Sequence, residues 1–281
     1  MKLVVLDEVE STNEEIKEAL LEGKAEGLIV RARRQTGGYG RQGRLWDSPE
    51  GGLYMSVLLR PDVGGSGLAT LSLVVGLAVQ RALETLAAPQ HKDGIRLKWP
   101  NDVVFMPSED TPANEYHKLS GISLETCGGG VCVGIGVNVF APEVAVPVEG
   151  RNVPSYMADL MAAADSTPEH PQTVAEAAAA LSGRALTAYR EEIITDIQRE
   201  IIARILVSYG RWRELGLQPS VASLSAASFL DGRTVRIEDM AGNVTVEGVA
   251  DGIDDRGRLL VRAADGVVPV SSGEAHVIPV A

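Results

Sequence analysis

The sequence predicts an α/β main domain followed by a small all-β domain, because the pattern of predicted secondary structure changes near residue 216. Before that point, β-rich runs alternate with helical patterns. From Leu230 onward only short β-rich runs remain, and turn signals such as Asp231-Gly232 separate them. We therefore predict domains at residues 1–216 and 228–281, with the second a β-barrel of about five strands.

Hydrophobic periodicity and turn residues place the elements of the main domain. Ser11 or Thr12 with a glutamate three residues later fits a capping box, and Gly23 fits the end of that first helix. An apolar stretch at residues 68–87 predicts a second, buried helix. Apolar residues at intervals of three and four predict a long amphipathic helix, with Leu186, Tyr189, Ile193, Ile197, Ile201 and Ile205 on one face. Strands are predicted at residues 3–6, 28–33, 53–59, 96–105 (interrupted by Pro100), 118–126 and 131–139, with loop-like connections at 106–117, 141–171 and 216–227.

Composition and charge limit the class of protein. The 281 residues are 45% hydrophobic and carry a formal net charge of −12, so a sizeable core is expected and general nucleic-acid binding is disfavoured. Two cysteines are too few for a disulfide scaffold. The acidic N-terminus does not fit a secretory signal, and the longest apolar stretch, residues 68–79, is too short to span a bilayer. We expect a soluble cytoplasmic protein that binds neither DNA nor a membrane.

A glycine- and arginine-rich loop at residues 35–46 is the most informative segment. Four glycines allow close backbone approach to an anion, while Arg41 and Arg44 add positive charge and Trp46 offers a flat face for a base. The spacing of Gly38, Gly40 and Gly43 matches the dinucleotide fingerprint, but the prolines and glycines that follow prevent the helix it must open. A flexible surface loop would explain the glycines but not the arginines and the tryptophan. Anion binding is therefore favoured.

A compact polar set surrounds Trp99-Pro100. Lys98 supplies a cation, and Asn101 and Asp102 supply oxygen ligands of the kind that hold a phosphate-bridging Mg²⁺. A polar strand end, with Asp102 capping a turn, explains the same residues without a metal. Both interpretations stay open on these residues alone.

The next hairpin carries Lys118, Gly121 and Asn138. A glycine inside a strand indicates that a ligand or another backbone comes close. Lys118 fits a solvated strand end as well as a site, and Asn138 fits either an adenine edge or a strand end. Cys127 and Cys132 are expected to be structural thiols, since no histidine spacing joins them as metal ligands. No Ser-His-Asp or Cys-His pattern predicts a nucleophile.

Together and in this order, these segments resemble the biotin protein ligase family. The resemblance covers most of the chain and rests on residues 11–13, 35–46, 98–102, 118–125, 134–138, 230–233, 252–254 and 272–274. It implies a mixed sheet with helices on one side, related to class II aminoacyl-tRNA synthetases, and an SH3-like C-terminal barrel. It also implies a two-step reaction: biotin and Mg-ATP give biotinyl-5′-AMP, and a lysine of a biotin carboxyl carrier protein then displaces AMP.

The resemblance also implies roles for individual residues. The biotin pocket would be formed by Ser11, Thr12, Asn13, Gln35, Gly38, Tyr39, Gly40 and Gly121, with Ser11, Thr12 and Gln35 on the ureido ring. ATP and the adenylate would contact Arg41, Arg44, Trp46, Asn101, Lys118 and Asn138. Catalysis would fall to Lys118, Arg41 and Lys98, and Mg²⁺ to Asn101 and Asp102. Three residues depart from the family pattern: Tyr39 replaces a frequent arginine, Gln42 a frequently basic residue and Ser123 a usual aliphatic residue.

Two alternatives remain at this point. A lipoate or octanoate ligase would share the fold, but its apolar substrate has no urea for Ser11, Thr12 and Gln35. A non-catalytic biotin sensor or repressor would have no need for Lys118, and the motifs begin too near residue 1 to predict a preceding DNA-binding module. The expected partner is a carboxyl carrier domain, and the chain is expected to be a monomer or homodimer.

Overall fold

A seven-stranded mixed sheet forms the centre of the computed structural model, which describes residues 1–63, 65–107, 115–143, 153–167, 170 and 172–278. Its strands follow the order β1-β2-β3-β7-β6-β5-β4, with β1 and β2 parallel and all other neighbours antiparallel. The strands are β1 Lys2–Val9, β2 Leu28–Gln35, β3 Leu53–Leu59, β4 Ile95–Lys98, β5 Asp102–Phe105, β6 His117–Cys127 and β7 Gly130–Val137.

Six α-helices accompany the sheets within the described residues: α1 Thr12–Leu21, α2 Gly65–Leu86, α3 Met157–Leu160, α4 Val174–Ala179, α5 Gly183–Leu215 and α6 Val221–Ala227. Ser11, one of the two residues expected to cap α1, is its N-cap. Its hydroxyl accepts from the Asn13 amide and not from that of Glu14, so the expected capping box does not form. Gly23 follows the helix with φ +72°, a conformation suited to glycine.

The helices lie on both faces of the large sheet. Ile29, Val57 and Val133 point into the core beneath α2 and α5, whereas the neighbouring Val30, Leu58 and Cys132 point to α1. The expectation of helices on one side therefore holds for the two long helices, while α1 packs on the opposite face. β2, β3 and β7 can carry helices on both faces because they are apolar on both.

Helix α2 is the core helix of this domain. Within the described residues it is the one helix long and apolar enough to cross a membrane, but most of that stretch is buried inside the protein. Leu71, Val75 and Leu83 have almost no exposed surface, and the helix packs on α5, β4 and β6. The predicted buried helix is confirmed.

A second, all-antiparallel sheet follows, in the order β11-β10-β9-β8-β12. Its strands are β8 Thr234–Glu238, β9 Val244–Ile253, β10 Leu259–Ala263, β11 Gly266–Val270 and β12 Glu274–Val277. The five predicted strands are present, but the described residues do not form the closed barrel that was expected. Closure requires the end strands to pair, and the short β11 and β12 each pair on one side only.

Two local expectations need correction. Pro100 lies in the turn of the β4–β5 hairpin and does not interrupt a single strand, because Lys98 pairs with Asp102 across it. The connection at residues 216–227 contains helix α6, which the fully buried Leu224 anchors to the core. Residues 108–114 and 144–152 of the predicted loop-like connections lie outside the described residues.

Candidate functional site

A cavity of about 480 Å³ opens on the α1 face of the large sheet. Helix α1 covers one end of this face, and small residues on the strands leave the rest open. A Cβ on Gly134 would collide with Asn13 and Ser123, and a Cβ on Gly121 or Gly136 would lie 2.9 or 2.6 Å from the Trp46 indole. The glycines therefore create the cavity, and Trp46 lies directly over two of them.

A chain of hydrogen bonds fixes the Gln35 side chain at the polar end of the cavity. Its Oε1 accepts from the Thr12 amide at 2.8 Å, and its Nε2 donates to Ser48 Oγ at 2.8 Å. Ser48 Oγ in turn donates to the Trp46 carbonyl at 2.8 Å. Because that carbonyl only accepts, Ser48 must accept from Gln35, and the amide of Gln35 has a single orientation.

Asn13 is equally constrained. Its Nδ2 donates to Ser123 Oγ at 3.2 Å and to Glu125 Oε1 at 3.3 Å, while its Oδ1 accepts from Ser56 Oγ at 2.6 Å. The Cys132 thiol lies 3.6 Å from the same Oδ1. Asn13 thus holds α1 to strands β3, β6 and β7 at the wall of the cavity.

Lys118 and Trp46 lie next to each other in the lining of the cavity. Lys118 Nζ lies 2.9 Å from Asp102 Oδ1 and 5.2 Å from the Trp46 ring. The indole Nε1 of Trp46 is buried without a hydrogen-bond partner among the described residues. This region therefore presents an ammonium and a flat aromatic surface.

The other end of the cavity is cationic. Arg41 donates to Asn101 Oδ1 at 3.1 Å, and Lys98 Nζ lies 5.4 Å from the Tyr116 ring. Burial lowers the pKa of Arg41 and of Lys98, and the nearby Arg44 lowers both further, while Asp102 opposes the shift. A bound polyanion would relieve this cost.

The five-stranded sheet closes this cationic end. Glu274 on β12 forms an ion pair with Arg44, and His276 Nε2 lies 3.3 Å from Glu238 and 3.8 Å from Glu274. All three side chains line the cavity. The hairpin turn is tied to the same sheet, since Trp99 Nε1 donates to the Gly257 carbonyl at 3.1 Å.

The glycine-rich loop is held in place through Tyr39. Its hydroxyl donates to Glu14 Oε1 at 2.6 Å and lies 3.5 Å from Glu125. Lys17 pairs with both carboxylates, at 2.6 and 3.3 Å. Burial, together with the bond to Glu14, raises the pKa of Tyr39 to about 12, so the phenol stays protonated as a donor at neutral pH.

Most predicted site residues come together in this cavity, although their roles remain predictions. Ser11, Thr12, Asn13, Gln35, Tyr39, Gly40, Arg41, Arg44, Trp46, Lys98, Asn101, Asp102, Lys118 and Gly121 all line it. Gly38 and Asn138 do not. A Cβ on Gly38 would press on Ser48 and Gln35 beside the cavity, and Asn138 Nδ2 donates to the Lys118 carbonyl at 2.9 Å.

Several residues were missed in the sequence. Tyr116, Glu238 and His276 line the cavity, and Ser48 and Ser56 orient residues that line it. The sequence offered one signal for Ser56: it is a small polar residue in the otherwise apolar and aromatic run of strand β3. Glu238 and His276 had none, since the placement of the second sheet depends on tertiary packing.

The fold and the cavity together define a class of protein. Residues 5–139 match the Biotin/lipoate A/B protein ligase family, and residues 232–276 match the Biotin protein ligase C terminal domain. The first range contains most of the large sheet with its cavity, and the second contains most of the five-stranded sheet. The class is therefore a ligase of the biotin or lipoate type.

Individual relatives narrow this class. The chain is 32% identical over 278 residues to a biotin–[acetyl-CoA-carboxylase] ligase of Mycobacterium tuberculosis, covering 97% of this chain and 88% of that protein. It is 26% identical to the bifunctional ligase/repressor BirA of Escherichia coli, covering 97% and 73%. The structure of the Aquifex aeolicus biotin protein ligase in complex with biotin and ATP superposes with a TM-score of 0.72, at 26% identity and 99% coverage of both chains. The chain belongs to the biotin protein ligase family, and its activity is that of a ligase.

Proposed function

We propose that this chain activates biotin with ATP to biotinyl-5′-AMP and transfers the biotinyl group to a lysine of a carboxyl carrier domain. The observation that carries the proposal is the single continuous cavity, which joins a fixed amide-and-hydroxyl end at Thr12 and Gln35 to a cationic end at Arg41 and Lys98. A ligand with a urea at one end and a carboxylate at the other fits this polarity.

The polar end suits a ureido ring. Ser11 Oγ accepts from the Asn13 amide at 3.3 Å, which leaves the Ser11 hydroxyl proton to donate to a ligand carbonyl. Gln35 Oε1, held by the Thr12 amide, keeps a lone pair for a ligand N–H. A buried urea requires both kinds of partner, because each unpaired polar group costs about 1–3 kcal/mol.

The cationic end suits the triphosphate and the reacting carboxylate. Lys118 lines the cavity beside Trp46. The carboxylate oxygen would attack the α-phosphorus next to it and displace pyrophosphate. The Lys118 ammonium would neutralise the charge that develops on the phosphoryl oxygens. In the second step the carrier amine attacks the acyl carbon and AMP leaves, so no covalent intermediate on the enzyme is needed.

A magnesium ion bound with ATP fits part of the predicted donor set. Asp102 is a partly buried carboxylate at the cavity wall. One such carboxylate suits Mg²⁺, because phosphate oxygens and water molecules usually supply most of its other ligands. Asn101 is less suited, because Arg41 already donates to its Oδ1. The described residues contain no group of three acidic, histidine or cysteine side chains that would hold a metal alone. The ion would supply charge neutralisation on the phosphates.

The carrier and the cellular location belong to this proposal as well. A relative of this chain is named for the acetyl-CoA carboxylase, so a biotin carboxyl carrier domain of an acyl-CoA carboxylase is the proposed acceptor. Such carriers and ATP meet in the cytoplasm, which is the proposed location.

Exchange of labelled pyrophosphate into ATP tests the first step without a carrier. The proposal expects exchange that requires biotin and is not supported by lipoate. Exchange with lipoate alone would replace biotin by lipoate as the substrate. Tight biotin binding without exchange would favour a biotin sensor.

A further inference from the structure

The polar end of the cavity contains a row of four oxygen atoms with too few protons. Thr12 Oγ1 lies 3.1 Å from Gln35 Oε1 and 2.8 Å from Ser56 Oγ, and Ser56 Oγ lies 2.6 Å from Asn13 Oδ1. The two outer atoms are amide oxygens that only accept. Two hydroxyl protons must therefore serve three contacts, and one contact has none.

The orientation of both amides is fixed independently of this row. The Thr12 amide N–H requires Gln35 Oε1 as its acceptor, and the Ser48 hydroxyl requires Gln35 Nε2 as its donor. Glu125 likewise requires Asn13 Nδ2 as a donor. Neither side chain can flip to supply the missing proton.

The Thr12 hydroxyl proton has two possible acceptors, Gln35 Oε1 at 3.1 Å and Ser56 Oγ at 2.8 Å, and we assign it to the shorter contact because two facing lone pairs repel each other. Ser56 then donates to Asn13 across 2.6 Å, and Thr12 donates to Ser56 across 2.8 Å. The remaining 3.1 Å contact between Thr12 Oγ1 and Gln35 Oε1 places two acceptors side by side. Both residues line the cavity, so the pair faces the ligand.

We propose that Ser56 is a positioning residue for ligand recognition: by taking the Thr12 proton, it keeps Thr12 and Gln35 as a paired acceptor that selects one N–H of the ligand. Ser56 is fully buried, and its hydroxyl contacts Thr12 and Asn13, with the Cys132 thiol as a further neighbour. It therefore acts through Thr12. The inference rests on the proposed function, in which the ureido ring occupies this end of the cavity.

Replacing Ser56 by alanine changes what Thr12 offers. Without Ser56 the Thr12 hydroxyl donates either to Gln35 Oε1 or to a ligand oxygen, because both lie on the cavity side. The site then tolerates a ligand atom that accepts where it formerly required an N–H. Ser120→Ala is the matched control, since Ser120 is an equally buried strand hydroxyl that does not line the cavity.

The test measures Kd by calorimetry for biotin and for its two cyclic carbamate analogues, in which one or the other ring N–H is replaced by oxygen. In the unsubstituted protein, the ratio of the analogue's Kd to the Kd of biotin is expected to be about ten to a hundred for the analogue that lacks the selected N–H. Ser56→Ala should weaken biotin binding and reduce this ratio of Kd values by about fivefold or more, for that analogue only. Ser120→Ala should keep this ratio of Kd values within about twofold.

A second variant keeps the test decisive if Ser56→Ala does not fold. Ser56→Cys retains volume but offers a weak donor and acceptor, so the ratio should fall in the same direction. An unchanged ratio in the folded Ser56 variants would overturn the inference while leaving the proposed function intact. Absence of biotin binding by the unsubstituted protein would instead overturn the proposed function.

Discussion

Lys118 Nζ lies 2.9 Å from Asp102 Oδ1, and this ion pair joins the beginnings of strands β6 and β5 at the wall of the cavity. The same ammonium lies 5.2 Å from the Trp46 ring, so the lysine is held between a carboxylate and an indole. Both partners hold the charge at the cavity wall. In the proposed function this ammonium lies beside the reacting carboxylate and phosphate.

Lys118→Ala should lose most of the adenylation rate, by about a hundredfold or more, with a modest effect on biotin affinity. The ammonium acts on charge that develops during the reaction, whereas the ureido contacts lie elsewhere. Single-turnover formation of biotinyl-5′-AMP and equilibrium biotin binding measure the two effects. Lys24→Ala, at an exposed surface lysine, is the control. Normal adenylation by Lys118→Ala would remove this assignment.

Arg41→Gly should release the adenylate into solution. Arg41 donates to Asn101 from the glycine-rich loop, so its loss removes both a cation and the tie between the loop and the β4–β5 hairpin. Chromatography of free biotinyl-5′-AMP during turnover measures the release. Gln42→Gly, which loosens the same loop without removing a cation, should retain the adenylate. Equal release by both variants would show that only loop stiffness matters.

Lys98→Met should stabilise the fold by about 1 kcal/mol and weaken ATP binding, because burial lowers the pKa of this lysine and its charge is costly. A lowered folded-state pKa means that the folded protein releases its proton before the unfolded chain does. The unsubstituted protein should therefore gain stability relative to Lys98→Met as pH rises from its lowered pKa toward the ordinary value near 10.4. Urea denaturation between pH 7 and 10 measures this difference. A difference that is constant with pH would contradict the burial of a charged lysine.

Gly134→Ala should abolish biotin binding, because the new methyl group would collide with the Asn13 and Ser123 side chains that shape the cavity wall. Gly210→Ala is the matched control, since a Cβ there meets nothing within 4 Å and lies in helix α5. The control should bind biotin normally and gain about 0.5–1 kcal/mol of stability from reduced backbone freedom. Calorimetric titration and thermal unfolding measure the two effects. Normal biotin binding by Gly134→Ala would contradict this prediction, because Asn13 and Ser123 would then be able to move without disturbing the cavity.

The residues that could be predicted from the sequence lie in short segments with a distinctive local composition. The glycine-rich loop from Gln35 to Trp46 and the polar set around Pro100 are short segments with unusual composition, and the cavity contains both. Asn138 shows the limit of such reasoning: its side chain donates to the Lys118 carbonyl, and its expected place near the adenine stays a prediction.

Other features depend on register and tertiary packing. The α1 face of the sheet becomes a cavity because Gly121 and Gly136 are paired across β6 and β7, and pairing is not visible in one strand. His276 and Glu238 reach the cavity because the five-stranded sheet packs beside the hairpin turn. The open arrangement of that sheet likewise depends on which strands pair, and strand count alone does not determine it.

The decisive experiment records the intact mass of a biotin carboxyl carrier domain after incubation with the protein, Mg-ATP and either biotin or lipoate. We expect a mass gain equal to one biotinyl group that requires ATP, appears only with biotin and is lost in Lys118→Ala. A gain with lipoate alone, or no gain from a protein that binds biotin tightly, would contradict the proposed function.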